Sequence, residues 1–490
     1  QLITTPMKFI GPTVANQKFF GILGGALAIG FALRYWLAFV VFLNQGFAWD
    51  MATFASWMDT IRADGFNAFA VDPGINYPPV FTDVLALLNW LGDTTGISPY
   101  LLMKWPSVLA DLGIAVVIAI AGRKWFGDRR ALVAASAYLL LPITWYDSAI
   151  WGQVDSLAML PMLIALVFLI EKKPEWSLVF FVLAVLTKPQ GALILLILLP
   201  VMIGQFIHRE LPLKRIATSV AAALVTFTLV GVPWSLESYV APYSPSAASI
   251  PVVGDLLGLA VQYLSTAGMF PVLTANAFNI WAGVGAIPLA QQIQEGQVFW
   301  LTDELPILGI PAQAIGGALF LLVAGLIFWL LIKRHSANQV LLASALLLVA
   351  FFTLPTRVHE RYLAQAFAIL ALVWVASNSR RILLVLLAIA NTLNLHAILA
   401  ADLRVETVSA TSAPVASGLG SGFLSNQIIA ITGHPPEFYA IEWVRLDVTF
   451  ARTEWVVWAI ILIHTLALLV VLRDYLNAND IKFSKRKANQ

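Results

Sequence analysis

The run Thr356-Arg357-Val358-His359-Glu360-Arg361-Tyr362 places three formal charges and an imidazole between two segments apolar enough to span a bilayer. A charge near the membrane centre costs about 2.5 to 3.5 kcal/mol on insertion scales, so such a cluster faces a cavity and marks a candidate site, the plain alternative being an ordinary loop. Asp50, in Trp49-Asp50 at the end of the first apolar run, is a carboxylate that could take a proton from a substrate hydroxyl. A solvated loop aspartate is its other reading, and Asp59 and Asp72 are candidates of the same type, less well placed. Tyr77-Pro78-Pro79 is a rigid helix entry, the residue before proline being held extended. In Trp151-Gly152-Gln153-Val154-Asp155 the glycine allows close backbone approach, and Gln153 and Asp155 bring hydrogen-bonding groups to a helix start. Asp155 reads equally well as a helix cap.

Lys188, in Thr187-Lys188-Pro189-Gln190, either snorkels to lipid headgroups or joins Arg357, His359 and Arg361 in a positive cluster suited to phosphate or diphosphate. At about 4 Å and an effective dielectric near 20, each unit-charge contact is worth roughly 4 kcal/mol before desolvation. Glu360 would orient Arg357, Arg361 or Lys188, because an unpaired cation cluster repels itself when empty. Gln190, with Asn276 and Asn279 of Asn276-Ala277-Phe278-Asn279-Ile280-Trp281, supplies further polar groups for the cavity.

The elements that must position these residues are membrane helices. Over 490 residues, 60% are hydrophobic and 11% charged, which excludes a soluble globular protein. The apolar runs have helical rather than barrel-strand length, so the expected fold is all-α and polytopic. A net charge of +2 gives no electrostatic case for nucleic acid, and the absence of cysteine removes disulfides and thiolate chemistry. The sequence opens on Gln and is expected to lack its true start, and Lys8 and Lys18 before an apolar run from Phe19 read as a retained first span.

Short basic loops at 123–130, 171–173, 208–215, 333–335 and 380–381 should be cytoplasmic. Twelve spans satisfy them all: near 19–43, 100–122, 131–147, 154–171, 176–187, 190–207, 216–235, 311–332, 337–354, 362–378, 382–400 and 453–473. The pair meeting at Pro189 is short and broken. Every polar motif then lies on the non-cytoplasmic face. The expected organisation is a transmembrane module over 1–400 with long outer loops at 44–99 and 236–310, an outer loop or cap at 401–452, and a last helix with a basic cytoplasmic tail at 453–490. Within the first loop, Phe54 to Arg62 and Phe81 to Leu91 read as interfacial helices.

A base on one side of an anomeric carbon and cations on the other suit transfer from a lipid-phosphate sugar, whose leaving group is good enough to need no strong general acid. The combination of Asp50, YPP, WGQxD, TKPQ, NAFNxW and HERY resembles the GT-C integral membrane glycosyltransferases. Within these it is most similar to bacterial and archaeal relatives of the second mannosyltransferase of GPI-anchor assembly, over residues 19–380. The resemblance implies a GT-C-like fold in a prokaryotic cytoplasmic membrane, a polyprenyl-phosphate donor, commonly of mannose, and a hydroxyl acceptor on a glycolipid, glycan or protein. It further implies an inverting single displacement with Asp50 as base, Lys188, His359 and Arg361 on the donor phosphate, and neither metal nor cofactor. A transporter or flippase of a lipid-linked or anionic substrate, and a non-catalytic subunit of a membrane complex, are the competing readings.

Overall fold

The computed structural model describes residues 14–43, 45–284, 301–375, 380–409 and 454–481, so most of 401–452 and the basic tail lie outside the described residues. The chain is nearly all α-helical. The main helices are α1 (Val14–Trp36), α2 (Ala48–Asp64), α3 (Pro79–Thr95), α4 (Trp105–Phe126), α5 (Asp128–Leu140), α6 (Asp155–Ile170), α7 (Pro174–Val185) and α8 (Leu195–Ile207). They continue with α9 (Leu213–Val230), α10 (Val253–Gly268), α11 (Ala312–Lys333), α12 (Ala337–Thr353), α13 (Ala366–Leu370), α14 (Arg381–Ser409) and α15 (Glu454–Ala478).

Helix occupies part or all of each of the twelve expected spans. Among the described residues seven helical stretches are long and apolar enough to cross a membrane, which makes this a multi-pass membrane protein. Four others, α6, α7, α12 and the stretch Ala366–Val375, are apolar but shorter. The span expected at 131–147 is interrupted. Leu141 is extended ahead of Pro142, which carries no N–H and restricts the residue before it, so α5 stops at Leu140 and a new turn starts at Pro142. The span expected from 362 begins only at Ala366, because 360–365 run as turns. The second long loop holds a small antiparallel hairpin, Pro306–Ile307 against Ile310–Pro311, turned by Leu308 and Gly309 at positive φ.

Burial sorts the helices into layers. In α12 an unbroken run from Gln339 to Ala350 is buried, as is all of Ala366–Val375; helices apolar on every side belong inside a bundle. By contrast only 17% of the best apolar window in Leu213–Trp234 and 28% of that in Ala312–Lys333 is buried, so α9 and α11 present apolar surface outward, as lipid-facing helices do. α4 packs on α5 and α6, α7 on α6 and α9, and α15 on α12 and α14.

The basic loops meet at one end of this bundle. Lys124 pairs with Glu171, Lys172 with Glu210 and Arg215 with Glu175, while His335 faces Glu210 and Arg334 pairs with Asp480. At the other end α2 and α3, the helices of the first long loop, pack on each other. α3 opens on Pro79 and closes on Gly96 in the left-handed region, the chemistry of a helix start and stop.

Candidate active site

Three backbone irregularities at the end away from the basic loops carry the polar motifs inward. The first is the turn after α5. Residues Tyr146–Trp151 form a wide helical turn that ends at Gly152, φ 86°, where a Cβ would lie 2.7 Å from Met51 Sδ. The Asp147 carbonyl accepts the N–H groups of both Gly152 and Gln153. The second is the break after α7. Lys188 is extended before Pro189, and a Cβ on Gly191 would lie 2.2 Å from the Ala184 carbonyl oxygen, so the chain folds back on itself only because that residue is glycine. The third is the loop after α12, in which Arg357 sits at φ +65° and the strand-like contacts of His359 run to Ala275 and Asn276.

Together they bring Asp50, Tyr77, Trp151, Gln153, Asp155, Lys188, Glu360 and Arg361 into one cluster. Asp50 stands in the first turn of α2, and its side chain is 13% exposed. Its Oδ2 accepts from Trp151 Nε1 and Gln153 Nε2, each at 2.8 Å, and its Oδ1 lies 3.8 Å from an Arg361 terminal nitrogen. Tyr77 donates to Gln153 Oε1 at 3.3 Å, and Phe47 stacks on Trp151. One carboxylate oxygen is thus held by two neutral donors while the other faces a cation.

Lys188 donates to Asp155 Oδ1 at 2.9 Å, both side chains being buried, and sits over the rings of Tyr77 and Tyr362. Gln365 also donates to Asp155 Oδ1, at 3.2 Å. Arg361 donates to Glu360 Oε1 at 2.8 Å and lies over Trp151 and Tyr362. Among the described residues its buried Nε has no acceptor, and Asp155 Oδ2 and Glu360 Oε2 have no donor. A buried guanidinium with an unspent N–H is a ready anion site.

Other expected residues stand elsewhere. Arg357 points away: it pairs with the buried Asp303 at 2.6 Å and donates to Gln313 and the Ala267 carbonyl, fastening the loop at 301–313. Asn279 donates to the Phe352 carbonyl and accepts from Trp281 N–H, a brace at the end of α12. Asn276 adopts positive φ, and its carbonyl accepts from Asn394. Gln190 is buried in the turn after Lys188, its Oε1 without a partner among the described residues. His359 is in place, with Nδ1 4.0 Å from Glu360 Oε2, but burial, Arg361 and Lys188 hold its imidazole well below the ordinary histidine range. Near neutral pH it is an uncharged hydrogen-bonding group and not a third cation.

Sequence reasoning missed the supports. Asn391 donates to the Glu360 carbonyl at 2.9 Å, and Asn394 bridges Asn276 and Phe278, so one face of α14 holds both loops. Beneath the site Arg34 pairs with Asp111 at 2.7 Å, both fully buried, and Asp111 accepts from Tyr138, Ser148 and Ser156. Two charges inside apolar runs were the available signal for that pair. Asp147 is buried with neither carboxylate oxygen hydrogen-bonded among the described residues.

Among the described residues no group of three or more His, Cys, Asp or Glu side chains could hold a metal ion. No protein-family model matches the chain, and no curated protein matches it.

Proposed function

We propose that this chain is a membrane glycosyltransferase of the GT-C type, with twelve crossings. It moves a sugar, mannose in the leading reading, from a polyprenyl-phosphate donor to a hydroxyl acceptor at the non-cytoplasmic face of a prokaryotic cytoplasmic membrane. The observation that carries the reading is the pairing of an oriented carboxylate with an unsaturated cation: Asp50, held by Trp151 and Gln153, beside Arg361 with its open Nε.

In the reaction the acceptor hydroxyl oxygen attacks the anomeric carbon, and its proton passes to Asp50 Oδ1. The bond from the anomeric carbon to the phosphate oxygen breaks, and its electron pair leaves with the polyprenyl phosphate. The configuration inverts in one step. Trp151 and Gln153 hold one oxygen of Asp50 and so aim the other at the acceptor. Arg361 and Lys188 meet the charge that grows on the departing phosphate. Asp50 and Arg361 are 3.8 Å apart, a gap too narrow for a sugar ring, so donor entry parts them.

The test is incubation of the purified protein with labelled polyprenyl-phosphate mannose and a total membrane extract. Label moves to a new product, and Asp50→Asn lowers turnover by about 10²- to 10⁴-fold while donor affinity holds. Wild-type turnover in that variant removes Asp50 as base, and no transfer from any of several donor sugars removes the transferase reading.

A further inference from the structure

Two cations in the cluster, Lys188 and Arg361, already face three carboxylates, those of Asp50, Asp155 and Glu360. A phosphodiester arriving at the open Nε of Arg361 adds a fourth negative charge in a buried place, where uncompensated charge is strongly disfavoured. Of the three carboxylates ion-paired to these cations, the one with the fewest donors yields. Asp155 keeps Lys188 and Gln365, and Asp50 keeps Trp151 and Gln153. Among the described residues Glu360 has a single side-chain donor, Arg361 itself, and nothing on Oε2.

We propose that Glu360 is the site's proton acceptor on anion binding: when a phosphodiester takes Arg361, Glu360 binds one proton from solvent. The inference rests on the anion-site reading of Arg361. Around Glu360 stand His359 and Arg361 from its own loop and Asp50 from α2, with Lys188 and Asp155 behind Arg361, while Asn391 of α14 holds its backbone. Burial, opposed by Arg361, raises the Glu360 carboxyl above the ordinary range. An anion beside Glu360 raises its proton affinity further. Between the pKa values without and with the anion, binding therefore takes up a proton and weakens as pH rises, and below the lower of the two it is flat.

The experiment is calorimetric titration of the full chain in nanodiscs with a short polyprenyl methyl phosphodiester, whose single charge is constant from pH 5 to 9. Repeating it in buffers of different ionisation enthalpy counts the protons. Wild type takes up about 0.5 to 1 proton per probe in its sensitive range, and affinity falls by up to about tenfold per pH unit there. Glu360→Gln binds with uptake near zero and a flat pH profile, and Asp147→Asn behaves as wild type. Wild-type binding without uptake overturns the proposal and leaves the anion site standing. Uptake that persists in Glu360→Gln, or vanishes in Asp147→Asn, puts the proton elsewhere and also overturns it. No binding by any of the three at any pH overturns the anion site itself. Should Glu360→Gln not fold, the wild-type count together with Asp147→Asn decides.

Discussion

At the residue scale the two arginines of one loop have opposite assignments. Arg357 and Arg361 are four apart, a spacing that on a helix would put them on one face, yet the positive φ of Arg357 and the turns that follow send them in different directions. Arg357 is spent on Asp303 and Gln313, whereas Arg361 keeps an open N–H beside Asp50. Arg361→Lys retains the charge but loses the planar fork, so donor KM should rise about tenfold or more; Arg357→Lys should change it by less than about twofold. Steady-state kinetics on the two variants checks this, and equal effects would put Arg357 back in the site. From the sequence the two were indistinguishable, since nothing in their spacing reveals a left-handed backbone. Asp50, Lys188 and Arg361 were legible as chemistry-bearing residues because charge is costly in so apolar a chain. Gln365, Asn391 and Asn394 were not, because polar groups that only hold other groups leave no mark by type.

At the scale of elements, each polar motif sits where a helix is broken or turned by a residue with a stated constraint. Gly152 admits Met51 Sδ at 2.7 Å, and Gly191 the Ala184 carbonyl oxygen at 2.2 Å, from where a Cβ would stand, and Pro142 and Pro189 restart helices. The break at Pro189 was legible, since proline and the loop charges demanded it. The break at Pro142 was passed over because the surrounding apolar run looks continuous. The Arg34–Asp111 pair fastens α1, α4 and the turn below α5 directly beneath these breaks. Removing one partner leaves a buried unpaired charge, so Asp111→Ala and Arg34→Ala should each cost about 3 to 5 kcal/mol of stability. Because the two act as one unit, the double variant should lose well under the sum. Unfolding in detergent by denaturant checks it, and additive losses would show that each charge has its own independent support.

At the scale of the molecule, the separation of the two ends gives the topology a direct test. Ion pairs gather the loops at 123–128, 171–175, 208–215 and 333–335 at one end, while Asp50, Lys188 and Arg361 converge at the other. Apolar length and loop charge were enough to place the seven long apolar helices, because hydrophobic thickness and charge asymmetry act on each segment locally, whereas α10, inside the expected outer loop 236–310, was not placed. Which segments touch, as residues 50, 151, 188 and 361 do, depends on long-range packing that no local pattern encodes. The chain has no cysteine, so single cysteines report position without background. Tyr243, 80% exposed beyond α9, lies toward the site end, and Arg129 is exposed in the first turn of α5, at the basic end. If the basic end is cytoplasmic, a membrane-impermeant maleimide labels Tyr243→Cys in intact cells and Arg129→Cys only after permeabilisation. The reverse pattern would put the site on the cytoplasmic side, where the donor headgroup would have to be reached from the opposite leaflet. Labelling of both in intact cells would mean that an even number of crossings separates positions 129 and 243, against the five expected at 131–147, 154–171, 176–187, 190–207 and 216–235.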